Sequence, residues 1–253
     1  MPTNIVFDFG AVLFSWRPEL LLREQFAQQA SDDARARELA SHIFHHADWI
    51  AFDGGTLEQA EVIQRTAHRL QLPETAVRAL VEGIAPRLSP IDGTLVLLDT
   101  LVQRRGGRDD VRLYYLSNMP VPYARYLQQQ HDFIGQFDGG VFSGDVQLVK
   151  PQPEIFRLLE QRYALQPDHT VFIDDLQINV EAARARLAWH SIPFAGAVAG
   201  GAGHAPGLSG IRWDGHCACT SEHPISHPFP DKQAPQVIRH PVGAFLSLPP
   251  DWC

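Results

Sequence analysis

Three short apolar runs, at residues 4–7, 111–116 and 170–173, each stop abruptly at a polar side chain: Asp8, Ser117 and Asp174. Their length and their β-branched and aromatic content read as buried strands. The stretches at residues 95–104, 153–163 and 179–187 are spaced as helices instead, and the second opens with Pro153 and Glu154, which suit a first turn. Residues 139–142 and 191–194 are two further strand candidates. Strands alternating with helices imply parallel pairing, because each crossover must carry the chain back to the same end of the sheet. The expected fold class is α/β and Rossmann-like, a mostly parallel sheet with helices on both faces. Such a sheet collects the carboxyl ends of its strands at one edge, where open α/β sheets place ligands.

Between the first strand and the next α/β unit the pattern is helical. Leu20, Leu21, Leu22, Phe26 and Ala27 form one stripe, residues 34–44 another, and residues 77–84 a third. Thr56-Leu57-Glu58-Gln59 has the form of a capping box that starts a helix through Ala60, Ile63 and Ala67. Four helices here predict an inserted helical cap over residues 17–86, with a core built from 1–16 and 87–195. Trp16, Trp49, Phe52, His45 and His46 are candidates to line the inner face of the cap. The plainer reading, which we favour, gives the aromatics to core packing and the histidines to a solvated face.

From residue 196 to 253 the periodicity is lost. Glycine and alanine dominate first, then scattered proline and histidine, as in loop or disorder; a reading-frame shift near residue 195 would also produce such a stretch. His216, Cys217, Cys219, His223 and His227 are zinc-ligand types, yet Cys217 and Cys219 stand one residue apart, a spacing unlike that of closed zinc sites.

The totals exclude some functions. A net charge of −8 argues against a general nucleic-acid binder, which needs a basic face. It leaves small phosphorylated substrates open, since a local cation reverses the field in a cleft. All three cysteines lie in the last segment, so the body has no disulfide framework. No stretch has the length of a membrane span or the form of a signal peptide, and a cytoplasmic monomer or homodimer is expected.

The polar residues at the strand ends supply a reaction. Asp8 would be the nucleophile, attacking phosphorus to form an aspartyl-phosphate that water then hydrolyses. Its second oxygen, the Gly10 carbonyl (if the chain turns sharply there), Asp174 and Asp175 would make a hard oxygen shell for Mg²⁺. Ser117 and the amide of Asn118 can donate to phosphate oxygens, and Lys150 adds a point charge for the transition state. Taken singly, each has an ordinary explanation as turn former or solvated charge. Asp174-Asp175 is the least ordinary, because adjacent carboxylates repel and call for a cation.

In Val6-Phe7-Asp8-Phe9-Gly10-Ala11-Val12-Leu13, Tyr115-Leu116-Ser117-Asn118, Val149-Lys150-Pro151-Gln152-Pro153-Glu154-Ile155-Phe156 and Val171-Phe172-Ile173-Asp174-Asp175 with Asn179, the chain resembles the haloacid dehalogenase-like superfamily. The resemblance spans residues 3–194 and implies Asp8 as nucleophile, Ser117 and Lys150 as phosphate ligands, and Asp8, the Gly10 carbonyl and Asp174 as Mg²⁺ ligands. One departure stands out. Most phosphatases of that superfamily carry a second aspartate, an acid and base, two residues after the nucleophile, where this chain has Gly10. Three readings follow: a phosphatase resembling those for sugar 1-phosphates, which share the Asp-x-Gly-x-Val form; a dehalogenase; or a non-catalytic phospho-ligand binder. The acidic pair and Lys150 favour the first.

Overall fold

The computed structural model describes residues 3–106 and 110–194. The tail expectations, the zinc-type ligands and the middle of the turn expected at 106–110 lie outside the described residues. Among those residues five strands form one parallel sheet: β1 (Thr3–Phe7), β2 (Val111–Ser117), β3 (Gly139–Phe142), β4 (Thr170–Asp174) and β5 (His190–Pro193). Their order is β3-β2-β1-β4-β5. The chain steps outward from β1 through β2 and β3, then returns to the other side of β1 with β4. The order therefore reverses beside β1, and the crevice at such a reversal is where doubly wound sheets bind ligands.

The two faces divide as strand periodicity requires. Ile5, Phe7, Leu113 and Ile173 join one hydrophobic cluster, while Val6, Tyr114, Leu116 and Phe172 join another. The second cluster is closed by α9 (Pro153–Tyr163), through Ile155, Phe156 and Leu159, and by α10 (Gln177–Leu187), through Ala182, Ala183 and Leu187. The first is covered by α6 (Asp92–Val102) and α7 (Val121–Gln130), through Leu98, Leu101, Tyr123, Ala124 and Leu127.

The insertion between β1 and β2 holds α1 (Pro18–Gln25), α2 (Asp33–Phe44), α3 (Ala47–Asp53), α4 (Gln59–Leu70) and α5 (Glu74–Arg87). Its buried side chains, among them Leu22, Ile43, Phe52, Ile63 and Leu80, belong to the same cluster as Ile5 and Phe7. The sequence predicts four helices here; the fifth is α3. Its seven residues hold two acids and two bulky aromatics, which do not read as a helix, but His46 Nδ1 accepts from the Asp48 amide at 3.1 Å and caps it. Trp49 and Phe52 then fix it by burial. A run of edge-on ring contacts, Trp16–Phe44–Trp49–Phe52–Tyr123, ties α3 to α7 with centroids 4.7–5.6 Å apart. His45 is exposed. Trp49 and Phe52 are thus packing residues.

The expected capping box does not form. α4 begins at Gln59, with Glu58 at the cap position and no side-chain cap, while the Thr56 hydroxyl donates to the Ala51 carbonyl at 3.1 Å. Residues 54–57 fold back on the end of α3, so the threonine serves the helix behind it. The sequence reading also assigns nothing to residues 119–138, where α7 forms behind Pro122 in its first turn. No helix among the described residues is long and apolar enough to cross a membrane.

Candidate active site

Asp8 directly follows β1, and its amide donates to the Ile173 carbonyl at 2.9 Å. That bond extends the β1–β4 ladder by one step and sets Asp8 beside Asp174, the last residue of β4. Ser117 ends β2 on the other side. The three strand-end residues predicted from sequence therefore converge across adjacent strands, and all three are buried.

Lys150 lies at the centre. Its Nζ is 2.6 Å from Asp174 Oδ2 and 2.9 Å from Asp8 Oδ1, and its side chain is 1% exposed. A cation buried to this degree holds its charge only with partners. Burial draws its pKa down, but Asp174 and Asp8 outweigh burial and hold it above the ordinary lysine value. The ring of Phe172 lies 5.5 Å from Nζ and adds an apolar floor.

Asp174 is the anchor of the site. Its Oδ1 accepts from the Leu176 amide at 2.9 Å and from Asn179 Nδ2 at 3.0 Å, while its Oδ2 accepts from Lys150. Asp8 is more labile. Burial pushes its carboxyl up to about 6; Lys150 opposes the shift, Asp174 adds to it, and hydrogen bonds from Lys150 and Ser117 oppose it. Asp175 is partly exposed, and burial, then Asp8, then Asp174 push it up to about 7. Asp8, Asp174 and Asp175 each present a carboxylate oxygen within 4.8 Å of the others.

Two predicted residues differ in detail. The Asn118 side chain is not free to donate to a phosphate. Its Nδ2 donates to the Lys150 carbonyl at 3.0 Å and its Oδ1 accepts from the Lys150 amide at 2.7 Å. Both bonds clamp the lysine loop, so the side chain positions Lys150. The sharp turn expected at Gly10 falls one residue later, on Ala11, which adopts φ 56°. Gly10 faces open space, with nothing within 4 Å of where a Cβ would stand.

Two residues at this edge escaped the sequence reading. Ser143 opens the short helix α8 (Ser143–Val146) and is fully buried; its Oγ accepts from the Met119 amide at 2.7 Å and donates to the Asp53 carbonyl at 2.5 Å. Asp53, the last residue of α3, meets the field of Asp8 from the insertion side. The only sequence signal was a carboxylate followed by Gly54-Gly55 at a helix end.

A family model for haloacid dehalogenase-like hydrolases matches residues 19–185, beginning after Asp8. The chain is 25% identical over 180 residues to a sesquiterpene phosphatase of Aspergillus oryzae, covering 71% of this chain and 84% of that protein. It is 26% identical over 196 residues to a drimenol cyclase of Aspergillus calidoustus, of which those residues cover 34%. Among solved structures, a family enzyme from Bacteroides thetaiotaomicron in complex with magnesium and inorganic phosphate shares the fold, with TM-score 0.59 and 19% identity over 78% of this chain and 96% of that one.

Proposed function

The chain belongs to the haloacid dehalogenase-like hydrolases, and from that premise we propose a Mg²⁺-dependent phosphomonoesterase that works through an aspartyl-phosphate on Asp8. One observation carries the reading: a buried ammonium spans the nucleophile and the acidic anchor, with Lys150 Nζ 2.9 Å from Asp8 and 2.6 Å from Asp174. Such a charge, held rigidly in an apolar setting, favours the developing charge on a transferring phosphoryl group. Asp8 attacks phosphorus. Ser117 and Lys150 hold the phosphate oxygens, Asn118 and Asp174 aim Lys150, and Asn179 braces Asp174.

The donor set fits a hard divalent cation. Three carboxylates converge within 4.8 Å, and burial together with their mutual repulsion pushes Asp8 up to about 6 and Asp175 up to about 7, a strain that positive charge relieves. Asp8, the Gly10 carbonyl, Asp174 and Asp175 would hold Mg²⁺. When bound, it supplies charge that screens the repulsion between carboxylate and phosphate. These acids also favour a phosphatase over a dehalogenase, which has no need of the metal.

We assign residues 17–86 to a cap that selects substrate by closing over a core of 1–16 and 87–195. A small phosphorylated metabolite is the substrate class. The Asp-x-Gly-x-Val form favours a sugar phosphate, whose anomeric oxygen leaves readily. An isoprenoid phosphate is the second reading, favoured by the name of the Aspergillus relative and by Leu176 and Ile178, 53% and 59% exposed, which follow Asp174 in sequence. A hydrolysis screen over sugar, nucleotide and farnesyl phosphates, with Mg²⁺ or a chelator, tests this in wild type and Asp8→Asn. Metal-dependent release of phosphate, abolished by the substitution, is expected. Chelator-insensitive turnover of a haloacid, or phosphate-ester binding without turnover, would overturn it.

A further inference from the structure

We propose that Asp53, carried by the insertion, is the acid that protonates the leaving oxygen and the base that then activates water. The inference rests on the phosphatase reading and deepens it, because Gly10 leaves that chemistry without a group from β1. Three contacts set the backbone of residues 53–55 against Ser143, Gly144 and Val149, at the edge that holds Lys150. Its own carbonyl accepts from Ser143 Oγ at 2.5 Å, next to the end of β3. A methyl placed on Gly54 would stand 3.3 Å from Val149 Cγ1, the residue before Lys150. Gly55, at φ 67°, lies so close to the Gly144 carbonyl that a Cβ would come within 2.3 Å of that oxygen. Two glycines permit this approach, and the aspartate just before them is delivered to the strand ends.

The carboxylate itself has no structural employment. Among the described residues it has no hydrogen bond or ion pair, and the Tyr123 hydroxyl, which feels its charge, is spent on the Val81 carbonyl at 2.6 Å. The charged or titratable groups that meet it are Asp8 and Tyr123, with Glu82 beyond the tyrosine. Burial first, and Asp8 second, raise its pKa well above the ordinary aspartate value, so it retains a proton where a free aspartate would not.

The steps balance. As Asp8 bonds to phosphorus and the ester P–O bond breaks, the Asp53 proton passes to the departing oxygen to give an alcohol. The Asp53 carboxylate then takes a proton from the water that attacks the aspartyl-phosphate. The P–O bond to Asp8 breaks, releasing inorganic phosphate and restoring Asp8.

The test compares Asp53→Asn with wild type on an alkyl phosphate, whose leaving group needs a proton, and on 4-nitrophenyl phosphate, whose leaving group does not. For the alkyl ester kcat/KM should fall about 10²–10⁴-fold, and for the nitrophenyl ester at least about tenfold less. Adding Gly10→Asp to Asp53→Asn should recover part of the alkyl rate, since a carboxyl group then returns beside Asp8 in open space. Equal falls for the two esters, or no fall for the alkyl ester, would overturn the assignment while leaving the phosphatase intact. A wild type inert toward both esters would overturn the phosphatase reading itself and the acid with it. Asp53→Glu, which keeps the carboxyl group, guards against a folding artefact: it should retain more alkyl activity than Asp53→Asn.

Discussion

At the scale of single residues, the site depends on pairs that no local sequence window contains. Taken alone, Lys150 reads in sequence as a solvated charge before a proline, and only the other strand-end residues point to a phosphate ligand; it is 1% exposed between two aspartates. Asn118 reads as a phosphate donor, yet its amide is committed to both backbone groups of Lys150. Removing that clamp with Asn118→Ala strands a partly buried amide and carbonyl, so about 1–3 kcal/mol of stability should be lost in urea titration. Catalysis should weaken with it, while affinity for inorganic phosphate changes less than in Lys150→Met. For Lys150→Met a fall in kcat of at least about 10²-fold is expected, as for other fixed electrostatic donors. Asp53 gives a pH test. Its folded pKa is raised, so its contribution to stability is complete below the unfolded aspartate pKa of about 4 and is lost as pH rises from there through the folded value. Asp53→Asn lacks this loss. The variant's Tm should therefore match wild type near pH 4 and exceed it increasingly toward pH 8; a constant gap would refute the burial of the Asp53 carboxyl.

At the scale of elements, legibility followed burial. β1, β2 and β4 were readable because strands covered on both faces are continuous apolar runs, and their last residues mark the site directly. α9 was readable to the residue because its proline start and its stripe agree. α3 and α7 were not. The helical state of Ala47–Asp53 is imposed by a histidine cap and by Trp49 and Phe52 meeting rings from other elements, a tertiary override of weak propensity. Asp53 was invisible for the same reason, since nothing local says that the end of α3 meets the short helix after β3. That apposition can be broken alone. Gly55→Ala combines a left-handed φ with a Cβ 2.3 Å from the Gly144 carbonyl oxygen, so the end of α3 must lift off Ser143. At least about 1–2 kcal/mol should be lost from the backbone strain alone. The alkyl-phosphate activity should fall further than stability predicts, as in Asp53→Asn; a pure stability loss with activity intact would separate Gly55 from the site.

At the scale of the whole molecule, a chain of net charge −8 concentrates Asp8, Asp174 and Asp175 within 4.8 Å and sets Lys150 among them. Burial first, and the repulsion among these acids after it, raise Asp8 to about 6 and Asp175 to about 7, so folding works against their ionised forms at this edge. A divalent cation that binds only where these oxygens converge must stabilise the native state by mass action. At a Mg²⁺ concentration one hundred times its Kd, the gain is about 2.7 kcal/mol, equivalent to a Tm rise of about 5–10 °C for a chain of this size. The rise should be larger at pH 8 than at pH 5. At low pH protons already neutralise the raised carboxyls and compete with the metal, whereas at high pH the folded state carries their full repulsion until Mg²⁺ arrives. Asp175→Asn should remove most of the shift without lowering the metal-free Tm, because Asp175 is held by no partner as firm as the Lys150–Asp174 pair. Thermal unfolding of wild type and Asp175→Asn, each with Mg²⁺ or a chelator at both pH values, measures this without any substrate. An identical Mg²⁺ response in the two proteins would move the metal away from the acidic pair.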